Sequence, residues 1–180
     1  MIIKIFDDKK ITIRELSEKD LGNVKKLQDF INSFVAEDAQ IMMNEQISLK
    51  SEKEWLKGKL ASIKKKKSVF IVAEHNNKII GTTSIDLNVW RSNHVGELGI
   101  TIKNGYRGIG LGTYLVKECI KLARKELKPS PRTIKLGVFS TNKSAVVFYN
   151  KLGFKKVAII PKQIQYKGKL IGEIIMVKYL

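Results

Sequence analysis

Glu97-Leu98-Gly99-Ile100-Thr101-Ile102-Lys103-Asn104-Gly105-Tyr106-Arg107-Gly108-Ile109-Gly110-Leu111-Gly112-Thr113 is the stretch from which the fold of this chain can be read. Residues 95–103 alternate loosely and predict a strand. Glycine at 108, 110 and 112 then marks a tight turn, and 110–127 is amphipathic at helical spacing. Leu111, Leu115, Cys119 and Leu122 stack there, with Val116, Ile120, Ala123 and Leu127 beside them. Glycines let a ligand approach the backbone with no Cβ in the way. The amides at a helix start point outward and the helix dipole adds positive potential, so this corner suits an anion, most naturally a pyrophosphate.

Spacing excludes two familiar phosphate turns. A P-loop needs Gly-Lys followed by Ser or Thr, whereas Gly112 is followed by Thr113-Tyr114. A dinucleotide fingerprint reads G-x-G-x-x-G with an acid ending a strand about twenty residues on. Here the turn is G-x-G-x-G and that acid is missing. On the turn alone, a glycine-rich connection that holds nothing stays open.

Upstream, residues 2–6 and 10–15 flank Asp7-Asp8-Lys9 and predict a short strand pair. Ser17-Glu18-Lys19-Asp20 is a capping-box pattern that opens a helix, with Leu21, Val24, Leu27, Phe30, Ile31 and Phe34 at helical spacing. Residues 36–50, polar with scattered Ile and Met, read as a loop with a helical turn. Ser51-Glu52-Lys53-Glu54 reads as a second capping box, ahead of an inner face of Trp55, Leu56, Leu60 and Ile63. Val69 to Ala73 is a continuous apolar run suited to a central strand, and a second strand follows from Ile79 to Val89 after an Asn76-Asn77 turn. Downstream lie a strand at Thr133–Phe139, a short helix at Ser144–Leu152 stopped by Gly153, and a hairpin of 155–166 with 170–179. On that helix Ala145, Phe148 and Leu152 are the expected buried stripe, with Tyr149 at its margin. No repeat or linker divides the chain, so residues 1–180 are expected to form a single domain.

Arg107-Gly108-Ile109-Gly110-Leu111-Gly112 fits the pattern Gln/Arg-x-x-Gly-x-Gly/Ala, and Asn142-Lys143-Ser144-Ala145-Val146-Val147-Phe148-Tyr149-Asn150-Lys151-Leu152-Gly153-Phe154 follows a helix and a strand later. Both segments resemble the signatures of the GNAT superfamily of N-acetyltransferases. The likeness runs from about residue 11 to the C-terminus. Within the family, Val95–Ile100 and Gly172–Met176 look most like small bacterial and archaeal ribosomal-protein and amino-acid acetyltransferases. The resemblance implies an α/β fold of the α+β kind: a mixed, mostly antiparallel central sheet, splayed between two parallel strands and flanked by about four helices.

The resemblance also implies acetyl-CoA as cosubstrate, with its pantetheine arm in the splay between strands 95–103 and 133–139. Ile100 and Ile102 would offer backbone groups to that arm. The amides of Arg107, Gly108, Ile109, Gly110, Leu111 and Gly112, with Thr113 nearby, would hold the pyrophosphate. Asn142 and Lys151 are further coenzyme contacts by resemblance, although a helix cap and a solvated lysine are their plain readings. Tyr149 would protonate the departing thiolate, and a backbone amide of strand 95–103 would meet the oxyanion. Glu97 is the candidate base, directly or through water, with an exposed strand carboxylate as its plain reading. An alkyl amine is almost wholly protonated at neutral pH, so some group must take its proton.

The acceptor is expected against residues 17–67 and the terminal hairpin, where Glu37, Asp38 and Glu45 could form an acidic mouth. An α-amine, with a pKa of about 8, needs less deprotonation than a lysine at about 10.4, so a protein N-terminus or an amino acid is favoured. The net charge of +17 would attract polyanions, but no basic segment has interleaved aromatics, and nucleic acid is not the expected partner. Cys119 alone offers neither a disulfide nor a metal cluster, so no metal is expected. His75 and His94 sit beside turns and read as surface residues. No apolar run spans a membrane and Met1–Phe6 is too short for a secretory segment, so a cytoplasmic enzyme is expected. The resemblance allows a homodimer. Other readings stay open: another acyl donor or acceptor on the same fold, a non-catalytic coenzyme-binding regulator, or a basic RNA-binding adaptor.

Overall fold

The computed structural model describes residues 1–180. Eight strands form one sheet: β1 (Ile2–Phe6), β2 (Lys9–Glu15), β3 (Ser68–His75), β4 (Lys78–Leu87), β5 (Val95–Ile102), β6 (Thr133–Phe139), β7 (Lys155–Tyr166) and β8 (Lys169–Tyr179). Their spatial order is β1-β2-β3-β4-β5-β6-β8-β7. Only β5 and β6 run parallel; every other neighbouring pair is antiparallel. Three hairpins close on two-residue turns with positive φ at both positions: Asp7-Asp8, Asn76-Asn77 and Lys167-Gly168. This backbone matches the twist of the flanking strands, and Asp, Asn and Gly tolerate it best.

Four helices cover the sheet: α1 (Val24–Ala36), α2 (Leu49–Lys64), α3 (Leu111–Glu126) and α4 (Lys143–Lys151). Helices α1 and α2 lie on one face, where Val24, Leu27, Phe30, Phe34 and Leu56 meet Phe70, Val72 and Ile79. On the other face α3 lays Leu111, Leu115, Val116, Cys119 and Ala123 against Val69, Ile71, Ile85, Leu98 and Ile134. Residues 68–73 of β3 are buried without interruption, as expected of a strand covered on both sides.

Local readings at several points give way to packing. Ser17 opens a 3-10 turn, Glu18–Asn23, before α1 begins. There Asp20 accepts a hydrogen bond from the Ser17 amide and a bidentate pair from Arg14, which also grips Glu74 on β3. Helix α2 starts one turn earlier than its Ser51 pattern predicts: Ser48 is the cap, accepting from the Ser51 amide. Trp55 is half exposed at the margin of the inner face, meeting Phe70 edge-on, while Leu56 takes the centre of the contact. On α4 the expected stripe packs inward, with Leu152 buried and Ala145 and Phe148 partly covered against the core, but Tyr149 is buried as deeply as Leu152 rather than standing at the margin.

Candidate active site

The sheet opens at its one parallel junction. β5 and β6 pair only at Val95↔Thr133, Gly96↔Ile134 and Glu97↔Lys135, after which β6 continues along β8 through Phe139. On the β4 side, β5 remains bonded to its end, with Asn88 N–H donating to Val95 C=O and Lys103 N–H to Ile80 C=O. Backbone groups alternate sides along a strand, so those of Leu98, Ile100 and Ile102 face the V-shaped opening. The Ile102 carbonyl is already taken, accepting from Arg107 Nε at 2.7 Å. Arg107 thus braces the turn, and Ile100 is the freer of the two predicted backbone partners.

The turn at the mouth of this V is built for close approach. Gly108 and Gly110 have φ of +80° and +88°, and a Cβ on Gly108 would find no atom within 4 Å. Gly110 is the N-cap of α3 with no side chain capping the first turn. The leading amides of α3 therefore face open space over a cradle that a Cβ would fill, which is what a pyrophosphate requires. Gly112 is constrained differently: its Cβ would meet Ile102 Cδ1 at 3.2 Å and Phe148 Cζ at 3.3 Å. Strand β5, the glycine turn and α4 thus converge at Gly112. Leu111 is fully buried, so only its amide can serve a ligand, and Ile109 leans on the core. Thr113 is half-buried in the first turn of α3.

On α4, Asn142 Oδ1 accepts from the Ala145 amide at 3.1 Å and from Ser144 Oγ at 3.0 Å, confirming the cap and leaving its amide nitrogen for another partner. Lys151 is exposed at the far end of the same helix. Tyr149 stacks edge-on against Phe154 at 5.8 Å and tilts against Phe148 at 5.1 Å. Burial pushes its phenol up to about 12. The group therefore stays protonated at neutral pH and keeps a proton to give.

Glu97 stands at the apex of the V, the last β5 residue paired with β6. It is more than half exposed and faces Lys135 Nζ at 3.5 Å. Asp38, expected in an acidic mouth, is instead tied to the hairpin: its carboxylate pairs with Lys167 and its carbonyl accepts from Tyr166. Glu37 and Glu45 are exposed. His75 is not a plain surface residue, since its Nδ1 lies 2.9 Å from the Tyr106 hydroxyl.

Beneath α1 and α2 lies a cavity of about 480 Å³ whose lining runs from Leu27, Phe30 and Trp55 to Gly99, Ile100 and Thr101 on β5. Glu52 lines it and is only 4% exposed. The sequence pattern hides this residue as a capping acid. Its position four residues before Leu56, on the same helix face, is the signal that places it inward. Across β6, Glu173 lies over Gly137, where a Cβ would collide with its carboxylate.

The model of the acetyltransferase (GNAT) family matches residues 31–154. The chain belongs to that family. An uncharacterised N-acetyltransferase of Methanocaldococcus jannaschii is 34% identical over 103 residues, 54% of this chain and 44% of that protein, so the match spans less than half of the relative. A Bacillus subtilis protein provisionally named a phosphinothricin acetyltransferase is 24% identical over 88% of this chain and 93% of its own. Among solved structures, a GNAT-family acetyltransferase from Streptococcus pneumoniae superposes with a TM-score of 0.81 at 26% identity, covering 94% of this chain and 99% of that one. GNAT membership carries the enzyme class, acetyl transfer from acetyl-CoA. No helix is long and apolar enough to cross a membrane.

Proposed function

We propose that this GNAT protein acetylates a primary amine, an α-amine in preference to a lysine side chain, by direct attack on acetyl-CoA. The observation that carries the reading is the V itself: β5 leaves β6 after Glu97, and its free backbone edge runs straight into the uncapped glycine turn.

Acetyl-CoA supplies the acetyl group as a thioester: the amine nitrogen bonds to its carbonyl carbon, the C–S bond breaks, and the electron pair leaves on sulfur. The chain's residues do the rest. Amides from Arg107 to Gly112, with Thr113 beside them, hold the pyrophosphate, and the β5 edge at Ile100 aligns the arm as an added strand would. The Asn142 amide nitrogen and the Lys151 ammonium extend this hold along α4. A free β5 amide at Leu98 or Ile100 donates to the carbonyl oxygen as negative charge gathers there. Tyr149 gives its phenolic proton to the departing sulfur. Glu97, on the β5 face turned toward α1 and α2, takes the proton that the amine must lose, directly or through one water. An α-amine suits this arrangement because about one proton in ten is already off near neutral pH, against fewer than one in a thousand for lysine.

Calorimetry with acetyl-CoA, followed by mass spectrometry of cell-extract fractions incubated with it, tests the reading. Micromolar binding and products heavier by one acetyl group at peptide or amino-acid α-amines are expected. Equal acetylation of lysine side chains in N-blocked peptides would remove the α-amine preference.

A further inference from the structure

Glu52 is a carboxylate in the first turn of α2, where the helix dipole favours an acid, but it is turned inward rather than to water. It lies one helical turn before Leu56 and faces inward, yet no side chain or backbone group hydrogen-bonds to it and no cation pairs with it. Burial pushes its pKa up, with no opposing charge to hold it down. Its carboxylate oxygens are not sealed in the core but open onto the space beside them, where a cationic ligand would meet an acid already partly stripped of water. The residue also aims at space: it lines the cavity of about 480 Å³ that reaches from α2 to the β5 edge.

The other walls give the rest of the chemistry. Leu27, Phe30, Ile31 and Met43 come from α1 and its following loop, and Trp55 and Phe70 meet edge-on at 5.7 Å. Hydroxyls of Thr82, Ser84 and Thr101 supply the remaining polarity. Not one lysine, arginine or histidine lines the cavity. Lys59 on α2 sits over the outer wall, its ammonium 5.8 Å from the Trp55 ring and 5.9 Å from that of Phe70, but its charge is taken by Asp86 in a 2.6 Å ion pair. An acceptor bearing its own carboxylate beside the amine would meet Glu52 with no free positive group to answer it, and like charges so placed repel.

We infer that this cavity is the acceptor pocket and that Glu52 receives the acceptor's amine as its ammonium, whose proton then passes to Glu97, directly or through water, before the freed amine attacks; this selects a primary amine on an apolar group with no carboxylate next to it, as at the start of a peptide chain. The inference rests on the acetyl-transfer reading above and narrows it: a free amino acid is disfavoured, and a diacidic amino acid more so. Gly99, Ile100 and Thr101 line the cavity and also flank the V, so an acceptor seated here faces the opening between β5 and β6.

Matched acceptors test it with acetyl-CoA as donor: phenylalaninamide against phenylalanine, methioninamide against methionine, and glutamate as the diacid, each followed by thiol release. With each acceptor corrected for its neutral-amine fraction at the assay pH, each amide is expected to exceed its free acid at least about 30-fold in kcat/KM, with glutamate inert. Glu52→Gln is expected to raise the KM for the preferred amide by about 30-fold while the acetyl-CoA dissociation constant stays within twofold. A purely structural role would move both or neither. Free acids used as well as amides would overturn the inference, as would an unchanged KM in the glutamine variant. If acetyl-CoA binds by calorimetry but neither amide is acetylated, the pocket assignment fails while the transferase reading stands. If acetyl-CoA does not bind at all, both fail.

Discussion

Gly105 and Gly110 offer a way to separate backbone strain from ligand recognition. Both have positive φ, +80° and +88°; Gly105 has no neighbour within 4 Å of a built Cβ, and Gly110 only Phe6 Cδ1 at 4.0 Å. Alanine at either position therefore meets no clash and suffers only the left-handed backbone, about 1–2 kcal/mol. For a chain of this size that lowers Tm by roughly 2–8 °C, equally in the two variants. Their effects on coenzyme binding should differ. Gly110 caps α3 inside the amide cradle, whereas Gly105 precedes it. A methyl at Gly110 holds the pyrophosphate off the leading amides. Losing two charge-assisted hydrogen bonds of about 1.5 kcal/mol each is about 3 kcal/mol, or on the order of a hundredfold in Kd. Calorimetric titration of both variants with coenzyme A, beside melting curves, reads the two quantities independently. Equal losses of affinity in Gly105→Ala and Gly110→Ala, or none in either, would refute the placement of the pyrophosphate.

Tyr149→Phe should leave the acetyl-CoA dissociation constant within twofold and lower kcat at least about tenfold, since the phenol is asked to act only as a proton donor. Burial raises that phenol to about 12 in the folded protein, so ionising it opposes folding. The stabilising difference is complete below the unfolded value of about 10 and is lost as pH rises from there through 12. Alkaline unfolding curves should therefore show the wild type losing ground to the phenylalanine variant in that window, and not below it. Cys119 is fully buried with its thiol pushed up to about 12, so it should resist iodoacetamide at pH 8 until the chain is unfolded, as peptide mass mapping would show. Arg14→Ala strips the cation from Asp20 and Glu74, both largely buried, and should cost about 3 kcal/mol, seen as a Tm fall of roughly 6–12 °C with acetyl-CoA affinity retained.

Where a residue's neighbours in sequence settle its environment, the fold was legible in advance. The strand at Thr133–Phe139, the hairpin closing at Lys167-Gly168 and the long helix after Gly110 all appear at their expected places, because period, turn chemistry and glycine conformation are local properties. The glycine turn was legible for the same reason. What periodicity cannot show is which of two apolar stripes a neighbour covers. On α4 the stripe of Ala145, Phe148 and Leu152 does pack inward, yet Phe154 covers Tyr149 beside it as well. That difference bears on the phenol's titration, since cover raises it from the ordinary value of about 10 to about 12, and either value leaves it protonated at neutral pH.

Glu52 makes the same point from the other side. Ser51-Glu52-Lys53-Glu54 carries an identical local signal whether the acid faces water near a helix start or an enclosed space. The true cap at Ser48 moves the helix start back, so Glu52 falls at the end of the first turn and shares a face with Leu56. The helix dipole favours an acid there but makes no demand that it face inward, and no capping bond needs it. The cost of keeping an unpaired acid there is a physical reason to look for its partner outside the chain, and the cavity beside it is where that partner would fit.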